Sequence, residues 1–222
     1  MTSTKRDVLI PAAILLFSVV PVLGGVLRLA ELGAGAQITP DNARFFASPV
    51  PVVVHAVTVS VYCILGAFQF APGFRRRRPG WHRVSGRLLV LCGLVGALSG
   101  LWMTAFYPKP ADVGAFLTGT RLVFGTAWAV FLVLGLAAVL RRNVSGHRAW
   151  MIRGFAVGLG ASTQAVTMGP WIALVGPPDR HSKAVLMLAA WLVNLAVAEW
   201  IIRRPARTAG PLRARLAVGE SR

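Results

Sequence analysis

The sequence predicts an all-α polytopic membrane protein, a bundle of six transmembrane helices with both termini on the cytoplasmic side. Three observations predict it. The chain of 222 residues is 55% hydrophobic and 14% charged, with a mean hydropathy of +0.64, more apolar and less charged than a soluble domain of that size. Six runs of roughly 18 residues or more are nearly free of charge, the length an α-helix needs to cross a bilayer. The cations, finally, sit at the ends of those runs. Two lie before the first, 6 in residues 75–87, 4 in residues 141–153 and 6 after the last, against 6 in all the intervening loops on the other side. By the positive-inside rule the side with 18 is cytoplasmic.

The elements follow in order. A short basic tail precedes the first span, about 8–27, which contains Pro11 and Pro21. It is long for a cleavable signal segment and reads as a retained signal-anchor helix. Within the polar stretch 28–48, Thr39-Pro40-Asp41 reads as N-cap, first helical residue and acidic first turn of a short helix to about Ala47. Ser48-Pro49 opens the second span, about 49–70, and Pro79-Gly80 turns the chain into the third, about 84–106. The fourth span is about 121–140, the fifth about 148–175 and the sixth about 184–202. Residues 1–204 thus form one membrane domain, and 205–222 a basic cytoplasmic tail.

Two junctions share one plan. Residues 75–87 read RRRRPGWHRVSGR and residues 141–153 read RRNVSGHRAWMIR. The cations behind the net charge of +17 sit at the ends of the apolar runs, so the partners expected are the lipid bilayer and its anionic head groups, and no nucleic acid. Cys63 and Cys92 both fall inside apolar runs, without a spaced cysteine framework, and read as small apolar side chains. No GxSxG, HExxH or P-loop signature is present.

Helical periodicity puts three stripes on the spans. The third carries His82, Ser85, Gly86, Leu89, Gly93, Gly96, Gly100, Thr104 and Tyr107, and the fifth His147, Met151, Gly154, Gly158, Ala161 and Ala165. Small residues at that spacing let helix backbones approach closely. The same faces also read as grooves for a flat ligand held by the two histidines. On that reading His82 and His147 are axial ligands of one b-type haem near the cytoplasmic face. Arg83, Arg87, Arg148 and Arg153 then contact its propionates, or else lipid phosphate, and Gly86, Gly93, Gly154 and Gly158 form the groove. No other cofactor is expected. A zinc site is not, because the pair lacks carboxylate or cysteine company. The arrangement resembles, in a general way, the cytochrome b561-like membrane proteins.

The second span carries His55, Thr58, Tyr62, Gly66 and Gln69, a polar face that belongs inside the bundle or against a wet cavity. That stripe supports the alternative to haem, a non-enzymatic lipid- or small-solute-binding or transport protein. An accessory subunit whose arginines dock a partner is a third reading. Gln164 and Asn194 lie near mid-membrane as interhelical hydrogen-bonders. Glu199, one turn from the cytoplasmic end, reads either as a structural ion pair at the level of Arg153 and Arg203 or as a proton relay. Whether the protein is an enzyme stays open.

From His55 to Arg203 the chain resembles the bacterial membrane proteins grouped as domain of unknown function 2306. LGAFQF (65–70), RRRPGWHRVSGR (76–87), ALSGLWMTAFYP (97–108), HRAWMIR (147–153) and NLAVAEWIIRR (194–204) carry the likeness. The resemblance implies a multi-pass bacterial membrane protein and supplies no activity.

Overall fold

A computed structural model describes residues 3–204. The basic tail expected over 205–222 lies outside the described residues. Among those described there is no strand, and nine helices follow one another. They are α1 (Ser3–Gly33), α2 (Ala43–Ala47), α3 (Pro49–Gln69), α4 (Pro72–Arg77), α5 (Pro79–Phe106), α6 (Ala115–Leu140), α7 (Val144–Gly158), α8 (Gly160–Leu174) and α9 (Arg180–Arg203). Five stretches are long and apolar enough to cross a membrane: Asp7–Gly33, Pro49–Gln69, Pro79–Phe106, Ala115–Leu140 and Arg180–Arg203.

These helices follow from local chemistry. Apolar residues dominate these runs, so a helix that satisfies its own backbone suits hydrocarbon. Leu16 and Leu140 are each 75% exposed, as side chains facing lipid are. Proline stands at the start of α3 and α5, where its missing N–H costs nothing. Asp179 caps α9, its Oδ1 accepting from His181 N at 2.8 Å and Ser182 N at 2.7 Å. The expected short helix starts later than Thr39. Asn42 turns its side chain back, with Oδ1 accepting from Thr39 N at 2.6 Å and Nδ2 donating to Glu31 Oε1 at 2.6 Å.

The larger difference is in the expected fifth span. Instead of one helix over 148–175, the chain builds two of 15 residues each, α7 and α8, meeting at Leu159. Each is short of the roughly 20 residues a crossing needs. Gly158 and Gly160 flank the break, and each weakens a helix interior by about 1 kcal/mol relative to alanine.

One core lies where α3, α5, α6 and α7 meet. Tyr62, Leu89, Cys92, Ala97, Phe124, Trp128, Leu132, Phe155 and Val157 are its buried members. Tyr62 sits edge-on to Trp128 at 5.3 Å between centroids, and Phe124 stacks on Trp191 of α9 at 4.8 Å. A small second cluster, Leu117, Ala184 and Met187, ties α6 to α9 at the other end. The two ends differ in charge. The α3–α5 and α6–α7 junctions carry the arginine runs, and this is the basic end. The loops after α1, α5 and α8 form the distal end.

Candidate functional site

At the basic end, the small-residue stripes are covered. A Cβ on Gly93 would meet Leu132 Cδ1 at 2.6 Å and Tyr62 Cε2 at 2.8 Å. One on Gly154 would meet Leu132 Cδ2 at 3.2 Å, and one on Gly158 would meet Tyr62 Cε1 at 2.8 Å and Trp128 Cζ2 at 3.0 Å. The faces expected to hold a flat ligand are filled by the side chains of α3 and α6. Gly86 is different, with open space around it.

The histidines of that end are held unequally. His147 Nδ1 donates to the Gly135 carbonyl at 2.8 Å, since a carbonyl only accepts; this leaves Nε2 as its acceptor. His82 Nδ1 is buried with no hydrogen-bond partner among the described residues, and the ring is within electrostatic reach of Arg75 and His147. Of the four arginines singled out, Arg153 makes a two-pronged contact with Glu199, 2.5 Å from Nε to Oε1 and 3.1 Å from Nη2 to Oε2. Arg203 approaches the same carboxylate at 3.7 Å. Arg148 reaches the Ile201 carbonyl at 3.5 Å, while Arg83 and Arg87 are exposed. Gln69 Nε2 donates to Ser85 Oγ at 2.7 Å, tying α3 to α5.

At the break, Asn194 of α9 serves both half-helices. Its Nδ2 donates to the Ala156 carbonyl of α7 at 2.9 Å, and its Oδ1 accepts from Thr163 Oγ1 of α8 at 2.6 Å. Ala156 stands four residues before Gly160, so in a continuous helix its carbonyl would take the Gly160 amide. The side-chain amide substitutes for a backbone one. Gly160 is there for another reason as well: any Cβ would collide with the Trp191 indole nitrogen.

Beyond the break, toward the distal end, the bundle opens. A cavity of about 440 Å³ lies among α3, α5, α6, α8 and α9, a size typical of small-molecule sites. Its wall includes His55, Gly100, Tyr107, Arg121, Trp128, Gly158, Gln164 and Trp191. His55 lies over Gly100, whose Cβ would meet its Cε1 at 3.1 Å. Its Nδ1 donates to the Gly96 carbonyl at 2.9 Å, so the other nitrogen is an acceptor. The wall is apolar between these groups: Val59, Ala97, Phe124, Gly125, Val157 and Met187 also line it.

Two donors on this wall are buried without a partner among the described residues, Gln164 Nε2 and Trp128 Nε1. The indole lies beside Tyr62 but makes no hydrogen bond of good geometry to it. The mouth is rich in cations: Arg44, Lys109, Arg121 and Lys183. Asp112 is paired with Lys183, whose amine holds the Asp112 carboxyl below the usual carboxylate range. Tyr107 closes one side, its hydroxyl donating to the Ser48 carbonyl at 2.6 Å.

Of the residues expected to carry function, His55, Gly158 and Gln164 come together at this cavity. Tyr62, Gly93 and Gly154 belong to the packed core instead, Asn194 to the brace and Glu199 to an ion pair. Arg121, Trp128 and Trp191 were not among the expected site residues, whereas Tyr107 ends the small-residue stripe of the third span. Arg121 had a signal, a lone cation at the head of an apolar run, but it read as a loop charge setting orientation. Among the described residues, no three His, Cys, Asp or Glu side chains gather as a metal site would require.

A family model described as a predicted membrane protein, DUF2306, matches residues 52–202. No curated protein and no solved structure matches the chain, so the likeness to cytochrome b561-like proteins finds no support there. The chain belongs to the DUF2306 family of predicted membrane proteins, and it is a multi-pass membrane protein.

Proposed function

We propose that this protein is a non-enzymatic binding or transport protein of the bacterial cytoplasmic membrane, taking a small amphiphilic solute into the distal cavity. The cavity carries the reading. It is preformed, walled by apolar and aromatic side chains, and furnished with a few convergent polar groups, the usual build of a small-molecule site. The helix break beside it adds support, because irregular backbone at membrane depth is tolerated where it is buried in protein or lines a cavity. In this arrangement α7 and α8 together make the sixth crossing. Both arginine junctions and both termini are cytoplasmic, and the cavity opens on the far side. The distribution of cations supports that orientation. A C-terminal alkaline phosphatase fusion should then be inactive, and activity would reverse it.

The test of binding uses the cavity's own indoles, Trp128 and Trp191. Dodecanol brominated at its terminal carbon, added to protein in phosphatidylcholine vesicles, should quench tryptophan fluorescence with a saturable component. Ala161→Trp, which fills the cavity from α8, should abolish it. Quenching that never saturates, or that survives the filled cavity, removes this reading.

A second reading, one b-type haem between His82 and His147, keeps one observation in its favour. His147 has its Nδ1 engaged and its Nε2 available, and His82 is electrostatically coupled to it. It ranks below the first because Leu132, Tyr62 and Trp128 would have to leave the glycine faces they cover. A reduced-minus-oxidised spectrum of protein expressed with ample haem decides it. A Soret and an alpha band lost in both His82→Ala and His147→Ala would raise it, and their absence from the wild type ends it.

A further inference from the structure

We infer that the solute of the distal cavity is a single-chain amphiphile with an anionic head group, a carboxylate or a phosphate monoester, and that Arg121 is its counter-charge. This deepens the binding reading above and rests on it.

Arg121 is only partly exposed and lines the cavity. Its one hydrogen-bond acceptor among the described residues is the Met187 sulfur, 3.9 Å from Nη2, and a thioether is a weak acceptor. The acid whose charge reaches it, Asp112, is already bound by Lys183. A guanidinium withdrawn from water without a carboxylate or phosphate is expensive, and its planar fork is shaped to take two oxygens of such a group at once. The Gln164 amide nitrogen lies buried on the same wall with no acceptor among the described residues. Donors outnumber acceptors here, and the surplus is positive.

Size and wall chemistry give the rest of the molecule. On the liquid-water scale of about 30 Å³ per water, 440 Å³ holds roughly fifteen heavy atoms. That matches one medium-length chain with its head group. The aromatic wall of Phe124, Trp128 and Trp191 suits the chain, and the guanidinium at the mouth fixes which end enters last.

The test compares head groups on one tail: ω-brominated dodecanoate, dodecyl phosphate and dodecanol, in phosphatidylcholine vesicles at alkaline pH, read as saturable tryptophan quenching. The wild type should bind at least one anionic probe about tenfold more tightly than the alcohol, as expected for a charge-assisted contact. Whichever of the two binds identifies the source chemistry, free acid or phosphate ester. In Arg121→Gln the anion should bind no more tightly than the alcohol does in the same variant. If the alcohol binds the wild type as tightly as the anions, or the preference persists in Arg121→Gln, the head-group assignment is overturned while the cavity remains a binding site. If no probe saturates, the binding reading itself has failed. The wild-type comparison stands even where the variant does not fold.

Discussion

The two ends of this bundle use the same small-residue stripes for opposite purposes. At the basic end, Gly93 and Gly154 are places where Leu132 and Tyr62 seat themselves. Toward the distal end, Gly100 sits under His55 and Gly158 under Tyr62 and Trp128, and beyond these side chains the space between the helices opens to about 440 Å³. The difference lies in what faces the glycines. Toward the basic end, α3 and α6 supply Tyr62, Leu132 and Trp128 to fill the gap. Toward the distal end, α7 has already stopped at Gly158, and α8 begins on Trp191 of α9. A row of glycines therefore marks close approach, and the neighbouring helix decides whether that approach is packing or a site.

The contrast can be broken most forcefully at the glycines themselves. Gly158→Leu puts a branched chain where Tyr62 and Trp128 already stand within 3.0 Å of a Cβ, and should cost about 2–3 kcal/mol by overpacking. Gly86→Leu, with nothing within 4 Å of its Cβ, should cost no more than about 0.5 kcal/mol beyond propensity. Thermal unfolding in detergent gives both, and equal losses would erase the distinction between covered and open faces. Asn194→Leu comes next. It leaves the Ala156 carbonyl and the Thr163 hydroxyl without their partner, a loss of about 1–2 kcal/mol for an interhelical pair in a membrane protein. Asn194→Asp, which keeps the acceptor for Thr163 and removes the donor to Ala156, separates the two halves of the brace.

The smallest effect is at the cavity mouth. The Asp112 carboxyl has a folded pKa below its unfolded value because Lys183 donates to it. Its contribution to stability is therefore present above the ordinary carboxylate value of about 4 and lost as pH falls through the lower folded value. The pair is on the surface, so the gain is at most about 0.5 kcal/mol. Asp112→Asn should flatten that part of the stability–pH curve, measured as unfolding midpoint against pH, and an unchanged curve would show the pair contributes nothing.

Much of this architecture was legible from hydropathy alone. The apolar runs at 49–70, 84–106, 121–140 and 184–202 all became helices, each reaching within a few residues of the expected bounds or beyond them. Run length reports a helix well because hydrocarbon permits little else. The break at Leu159 was not read, although Gly158-Leu159-Gly160 spelled it out. In a span already rich in glycine, the pair was indistinguishable from close packing, and what completes the break, Asn194 and Trp191, lies on another helix more than 30 residues away. The site failed for the same reason. His55 and Gln164 stood out because polar residues in apolar runs are rare. The cavity between them depends on where α6 places Arg121 and Trp128, and no single-helix stripe contains that information.

An unbroken helix is a rod, and a push on one end moves the other. With α7 and α8 joined only through Leu159 and pinned by the Asn194 amide, that rod has a joint at its middle. The Arg153–Glu199 clasp ties α7 to α9 on one side of that joint, and the Asn194–Thr163 contact ties α8 to the same helix on the other.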